Sequence, residues 1–283
     1  MKQINYKGNL YPETEILFSI NHLRSMFLTE CIMVKDGNIL FWEDHYFRLM
    51  ASMRILRMAI PMYFTPEYLQ SQVVKVLESN VFHEGLVLFS FFETNGEVCF
   101  WISPSVVHAV PFWDDESCCI NILKECKLTP RLLSSLSFHT LPELHLAAKY
   151  AREHHWDDVI LVNTQNKVVR TLWAHIFLIK ADEIYTPRIE EGCEKTVARQ
   201  KFVEYLRHVE GRIISEREIF PYELQTADEV FLFANLCIRP VHSYRKKTYE
   251  AVISKEIFQA LHRWIAAGSG FSDGLFSGAK ASI

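Results

Sequence analysis

No apolar run in these 283 residues approaches the roughly 20 needed to cross a bilayer core. The opening residues, MKQINYKGNLYPE, carry no apolar signal-peptide core. Neither a membrane span nor secretion is therefore expected, and the chain reads as cytoplasmic. Neither sign of charge dominates. With 30 Lys and Arg against 34 Asp and Glu the net charge is −4, which lacks the basic footprint of a nucleic-acid binder. The seven cysteines are odd in number and scattered, with no C-x-x-C pair and only Cys118 and Cys119 adjacent. That argues against a zinc site or a disulfide framework and leaves reduced thiols as the expectation. Among the histidines, His154 and His155 are neighbours, so they point to different faces of a helix and cannot chelate as an i,i+4 pair would. Internal repeats and low-complexity segments are absent.

What is present suits two ordinary domains, each with its own core. Ile4 to Gly8 and Leu10 onward suggest a hairpin about Lys7-Gly8-Asn9. Leu28–Val34 and Ile39–Trp42 flank Asp36-Gly37, a strong hairpin signal, and Leu86–Phe92 and Val98–Ile102 flank Thr94-Asn95-Gly96. A helix is expected from Glu43, with Phe47, Leu49, Met53 and Leu56 on one face, and a second over Pro66–Ser79, burying Leu69, Val73, Val76 and Leu77. Together these form a small α+β domain over 1–107. Residues 108–117, with Pro111 and Asp114-Asp115-Glu116, read as an interdomain linker. A larger β-barrel-like α/β domain is expected over 118–267, and the Gly- and Ser-rich tail 268–283 is expected to be mobile.

The larger domain is organised around Ser134–Leu206. A helix should open at Thr140-Leu141-Pro142-Glu143, with a hydroxyl at the cap, Pro in the first turn and Glu three residues on. Val159–Val162 and Ile176–Ile179 are short β-branched runs typical of buried strands, and Asn163–Asn166 supplies turn chemistry between them. Beyond this stretch, strands are expected over Cys118–Cys126, Arg212–Ile219 and Asp228–Phe233, with a helical turn at Tyr222–Gln225 and a last amphipathic helix over Ser254–Ala267.

The order of motifs here is helix, Asp157-Asp158-Val-Ile-Leu-Val-Asn163, Val168-Val169, Ile176-Phe177, Tyr185-Thr186-Pro187, Glu191-Gly192-Cys193 and Arg199. It resembles the class IV aminotransferases, the fold-type IV pyridoxal-phosphate enzymes that include branched-chain and D-amino-acid aminotransferases and aminodeoxychorismate lyase. The match is unbroken from about Ser137 to Arg199, and weaker similarity covers most of the chain. It implies an α+β, two-domain fold-type IV architecture, a pyridoxal-phosphate site and a homodimer.

Carried over position by position, the resemblance places Ser137 where the family has its Schiff-base lysine. A serine cannot form an imine, so the covalent anchor is missing. Arg170 stands where a glutamate would protonate the pyridine nitrogen, and a fixed cation there disfavours pyridinium. The phosphate cup reads Thr196-Val197-Ala198-Arg199, with the family's glycine replaced by Thr196 and its hydroxyl residue by Ala198. The second phosphate loop, Ala234–Pro240, also lacks a hydroxyl. In the first domain the E-H-x-x-R-L helix survives, so His45 matches and Arg48 takes the phosphate-contacting place. Glu30 is what remains of the family's F-E-T strand. Met26 and Phe27 replace small residues, and both core filling and closure of the pocket are expected of them.

Two readings follow. One is a degenerate paralogue with no covalent cofactor, in which Arg48, Arg199, Val197, Ala198 and Glu30 form a remnant pocket for non-covalent pyridoxal phosphate or another small anionic ligand. The other is an active aminotransferase or lyase that uses an unaligned lysine, for which Lys124, Lys127 and Lys149 are candidates, Lys149 reading as a surface residue beyond a buried Leu146. Ser137 with His139 also reads as a nucleophile and base, but neither an acid partner nor a Gly-x-Ser-x-Gly elbow accompanies them.

Overall fold

The computed structural model describes residues 2–15, 25–105, 112–116, 118–138 and 141–268. The chain divides into two compact units, residues 1–110 with 265–283, and residues 111–264. The expected cap Thr140, His139 and nearly all of the tail lie outside the described residues.

The first unit is built on one six-stranded sheet. Strands β1 (Gln3–Tyr6) and β2 (Asn9–Pro12) form the hairpin expected about Lys7 and Gly8, both at positive φ. Strands β3 (Leu28–Lys35) and β4 (Asn38–Ile39) turn through Asp36 and Gly37 at φ 51° and 75°, the two positive values that a tight hairpin of right-handed twist requires. Here the expectation needs correction. The second strand stops at Ile39 and does not run on to Trp42. Phe41, in a left-handed conformation, starts helix α1 (Trp42–Ile55) one residue before the expected Glu43. The buried face of α1 is Trp42, His45, Leu49, Met50 and Met53, while Phe47 is 66% exposed.

Helix α2 (Pro66–Asn80) matches its expected bounds closely. The Thr65 side chain accepts from Tyr68 N, Pro66 occupies the first turn, and Leu69, Val73, Val76 and Leu77 are buried. Strands β5 (Gly85–Thr94) and β6 (Glu97–Ser105) complete the sheet in the order β2-β1-β6-β5-β3-β4. Phe64, Phe89, Phe91 and Phe100 form its aromatic core, with Phe89 and Phe91 centroids 4.4 Å apart. Phe27 packs on Phe92 and Trp101, whereas Met26 is exposed.

The second unit has two sheets. Within the stretch expected to be linker, Phe112–Trp113 is a short strand, β7, at a sheet edge. Strand β8 (Cys119–Leu128) leads to helix α3 (Pro142–Glu153) and returns in β9 (Asp158–Asn163), parallel to β8. Leu141 holds the N-cap of α3 without a side-chain cap bond. Leu146 proves exposed; the face of α3 turned to the sheet carries Ala147 and Ala151, packed on Leu123, Val159 and Leu161. The opposite face of β9 also meets apolar side chains, which is why this strand is apolar nearly throughout.

Strands β10 (Val168–Thr171), β11 (His175–Lys180), β12 (Glu183–Pro187), β13 (Ile214–Arg217), β14 (Glu229–Ala234), β15 (Cys237–Pro240), β16 (Ser243–Tyr244) and β17 (Lys247–Thr248) complete the sheets. Their orders are β10-β9-β8-β16-β17 and β13-β12-β11-β14-β15-β7. Ile120, Ile122, Ile160, Val162, Ile176, Leu178, Val230 and Leu232 share one buried cluster drawn from both sheets. Helices α4 (Val197–His208), the short α5 (Pro221–Leu224) and α6 (Ile253–Ala266) accompany them.

The acidic pair of the motif before β9 is structural. Asp157 accepts from Cys119 N at 2.7 Å. Asp158, buried, accepts from Thr171 Oγ1 at 2.7 Å and from Leu172 N at 2.9 Å.

Candidate functional site

In the second unit, three segments bring the substituted positions together. Ser137 lies in the connection before α3, Arg170 on β10, and Glu194 in the loop between the 3-10 turn Ile189–Glu191 and α4. Ser137 Oγ donates to Glu194 Oε1, and Arg170 Nη1 donates to Glu194 Oε2 at 2.6 Å. Arg170 is held from behind, its Nε donating to Thr171 O at 2.9 Å and its Nη2 to Leu172 O at 3.5 Å. One carboxylate therefore bridges the two positions. The Arg170 side chain, 14% exposed, is thus ion-paired with Glu194.

Sequence reasoning missed Glu194. Its local signal is slight, an acidic residue directly after Glu191-Gly192-Cys193, and its partners lie 57 and 24 residues away. Cys193 beside it is inert. Its Sγ donates to Val169 O at 2.9 Å, and burial pushes its thiol up to about 12 despite the nearby Arg199 and Arg170.

The cup at the start of α4 also closes on itself. Thr196, at the N-cap, accepts from Arg199 N at 3.2 Å and sits 3.0 Å from His175 Nε2. Val197 and Ala198 are buried. Arg199 is buried as well, pairing with Glu216 Oε2 at 3.0 Å and donating to Pro187 O at 2.8 Å. Its guanidinium holds α4 to the β12–β13 edge. Lys124, Lys127 and Lys149 are exposed. An unforeseen lysine, Lys195, is also exposed, and its backbone N–H donates to Ser135 O at 3.0 Å, two residues from Ser137.

In the first unit, Glu30, His45 and Arg48 form a second cluster. Glu30, 2% exposed on β3, accepts from Arg48 Nη1 and lies 3.0 Å from His45 Nδ1. Burial works against its charge, but Arg48 and the His45 hydrogen bond outweigh it and hold the carboxyl below its usual range. His45 Nε2 and Trp42 Nε1, buried one turn apart on α1, find no partner among the described residues.

Comparison with known proteins accords with this architecture. The model of the class IV amino-transferase family matches residues 28–244. An aminodeoxychorismate lyase of Vibrio harveyi is 32% identical over 79 residues, 28% of this chain and 29% of that enzyme, so the match spans less than a third of the relative. The branched-chain aminotransferase of Thermoproteus uzoniensis, solved with norvaline, superposes with a TM-score of 0.83 at 19% identity, over 94% of this chain and 95% of that one. The branched-chain aminotransferase of Thermobaculum terrenum, solved in its pyridoxal-phosphate form, gives 0.78 at 19% identity over 94% of both chains. At such identities the superpositions establish the fold-type IV architecture, and the family match covers most of the chain: it belongs to the class IV aminotransferase family.

Proposed function

We propose that this chain is a class IV aminotransferase-fold protein that no longer holds pyridoxal phosphate covalently and has kept the scaffold for binding a small anionic ligand or an interaction partner. The observation that carries this reading is the Ser137–Glu194–Arg170 bridge. When covalently bound, the cofactor would supply an electron sink for carbanion chemistry at an amino-acid substrate. The residues present do not fit that arrangement. Ser137 has no amine to offer, Arg170 brings a cation where an acid is needed, and the Ser137 hydroxyl and Arg170 Nη1 both donate to Glu194. Thr196 has turned its hydroxyl to its own helix, and Arg199 is committed to Glu216 and Pro187. We place it in the cytoplasm, the reducing compartment that its odd-numbered, scattered cysteines suit. We also read the protein as a homodimer.

The test is a titration of the purified protein with pyridoxal phosphate, followed by borohydride reduction and intact mass. The expected result is no protonated-imine band at ~410–430 nm and no specific pyridoxyl adduct. One observation favours the second reading, an active aminotransferase or lyase: the exposed Lys195 is tied by its backbone to the Ser137 segment. A single stoichiometric adduct mapped to Lys195 by peptide mass would establish it and remove the degenerate reading.

A further inference from the structure

Two donors from distant segments, Ser137 Oγ and Arg170 Nη1, converge on the two oxygens of one carboxylate, the fork that recognises a carboxylate bidentately. The arginine half of this contact is anchored. Arg170 is anchored by the carbonyls of Thr171 and Leu172, and it rises from a β-strand whose neighbours Val169 and Thr171 are buried. The other half differs. The backbone around Glu194 is pinned by Lys195 N to Ser135 O and by Cys193 Sγ to Val169 O, but the glutamate side chain is 18% exposed and has its own rotatable bonds. It can swing outward while the loop stays in place.

We propose that Ser137 and Arg170 form a seat for the carboxylate of a small ligand, and that Glu194 is a built-in competitor which fills the seat until such a ligand displaces it. This deepens the reading above, on which it rests, by naming the ligand class as small monocarboxylates and the regulation as intramolecular competition. The tethered carboxylate acts at an effective concentration of millimolar order or higher. The intact chain therefore binds a free monocarboxylate weakly, and removing the tethered group opens the seat.

The experiment titrates sodium acetate and sodium formate into the full chain, with sodium chloride at matched ionic strength, and reads the melting temperature and the heat of binding. Glu194→Ala is expected to bind acetate at least about tenfold more tightly than the parent chain, with a melting temperature that rises with acetate and not with chloride. Adding Arg170→Gln to Glu194→Ala should abolish the response, and adding Ser137→Ala should weaken it. An acetate response equal to that of chloride, or one that survives Arg170→Gln, overturns the proposal. Should Glu194→Ala not fold, Glu194→Asp withdraws the carboxylate by one methylene while keeping its charge. It is expected to give the same response at smaller amplitude, and a flat titration there overturns the proposal equally. Borohydride and mass analysis of the same samples with pyridoxal phosphate separates the two ideas. A single stoichiometric adduct sinks the non-covalent reading and the seat that rests on it, whereas a flat acetate titration without such an adduct sinks the seat alone.

Discussion

The Glu30 carboxylate is the residue on which the first unit's polar core depends. Removing its charge by Glu30→Gln leaves Arg48 and His45 facing a neutral group in a buried site, and breaking a buried pair in this way costs about 3–5 kcal/mol. Its titration has a definite sign. The folded-state value lies below the ordinary 4.5, so the unfolded chain binds the proton first. The stabilisation is complete above the unfolded value and is lost as pH falls through the folded one. Asp158 acts oppositely: burial raises its folded value, against hydrogen bonds from Thr171 and backbone amides, so its contribution fades as pH rises through that value. Urea unfolding of parent and Glu30→Gln across this range isolates the Glu30 term. The stability gap between them is expected to be constant near neutral pH and to shrink below pH about 4.5. A gap that stays constant down to acid unfolding would show that the carboxyl is not held low.

At the scale of elements, α6 depends on a carboxylate from another strand. Glu229 on β14 accepts from Val252 N and Ile253 N through Oε1, and from Ser254 N and Oγ through Oε2, at 2.6–3.0 Å. These are orphan donors of the helix start, where a negative charge also meets the positive end of the helix dipole. Ile257, Leu261 and Ile265 then bury the apolar stripe legible in the sequence. Glu229→Ala is expected to destabilise the protein by about 2–4 kcal/mol, combining a lost cap with buried donors left unpaired. Amide exchange should speed up first over residues 252–258. Unchanged protection there would assign the cap no weight.

At the scale of the whole molecule, the homodimer that the resemblance implies needs exposed apolar surface, and not every aromatic of the first unit supplies it. Phe91 and Phe92 are fully buried within the chain, while Phe47 at 66%, Tyr63 at 57% and Met62 at 100% exposure are among the apolar groups left outside. Contiguous exposed apolar surface marks association sites, and a stable homodimer buries on the order of 800 Å² per partner. Sedimentation at micromolar concentration is expected to give a dimer, and Phe47→Asp with Met62→Asp to shift it toward monomer. A monomeric parent chain would refute the homodimer.

The sequence by itself determined the elements whose causes are local. The Asp36-Gly37 and Asn95-Gly96 turns adopt the positive φ values that their residue types permit cheaply. Helix α2 starts where Thr65 and Pro66 place it, and β9 and β11 follow their β-branched runs. The absence of a lysine at 137 and of an acid at 170 was equally legible, because identity at an aligned position needs no coordinates. Tertiary structure decided the rest. Helical periodicity put Phe47 on the inner face of α1, but the sheet lies against His45, Leu49 and Met53. Only the fold sets Glu194 between a serine 57 residues before it and an arginine 24 before it, making the cation at 170 one arm of a carboxylate bridge. Local patterns report which groups a segment can present, whereas charge compensation depends on which distant segments the chain brings within hydrogen-bond reach.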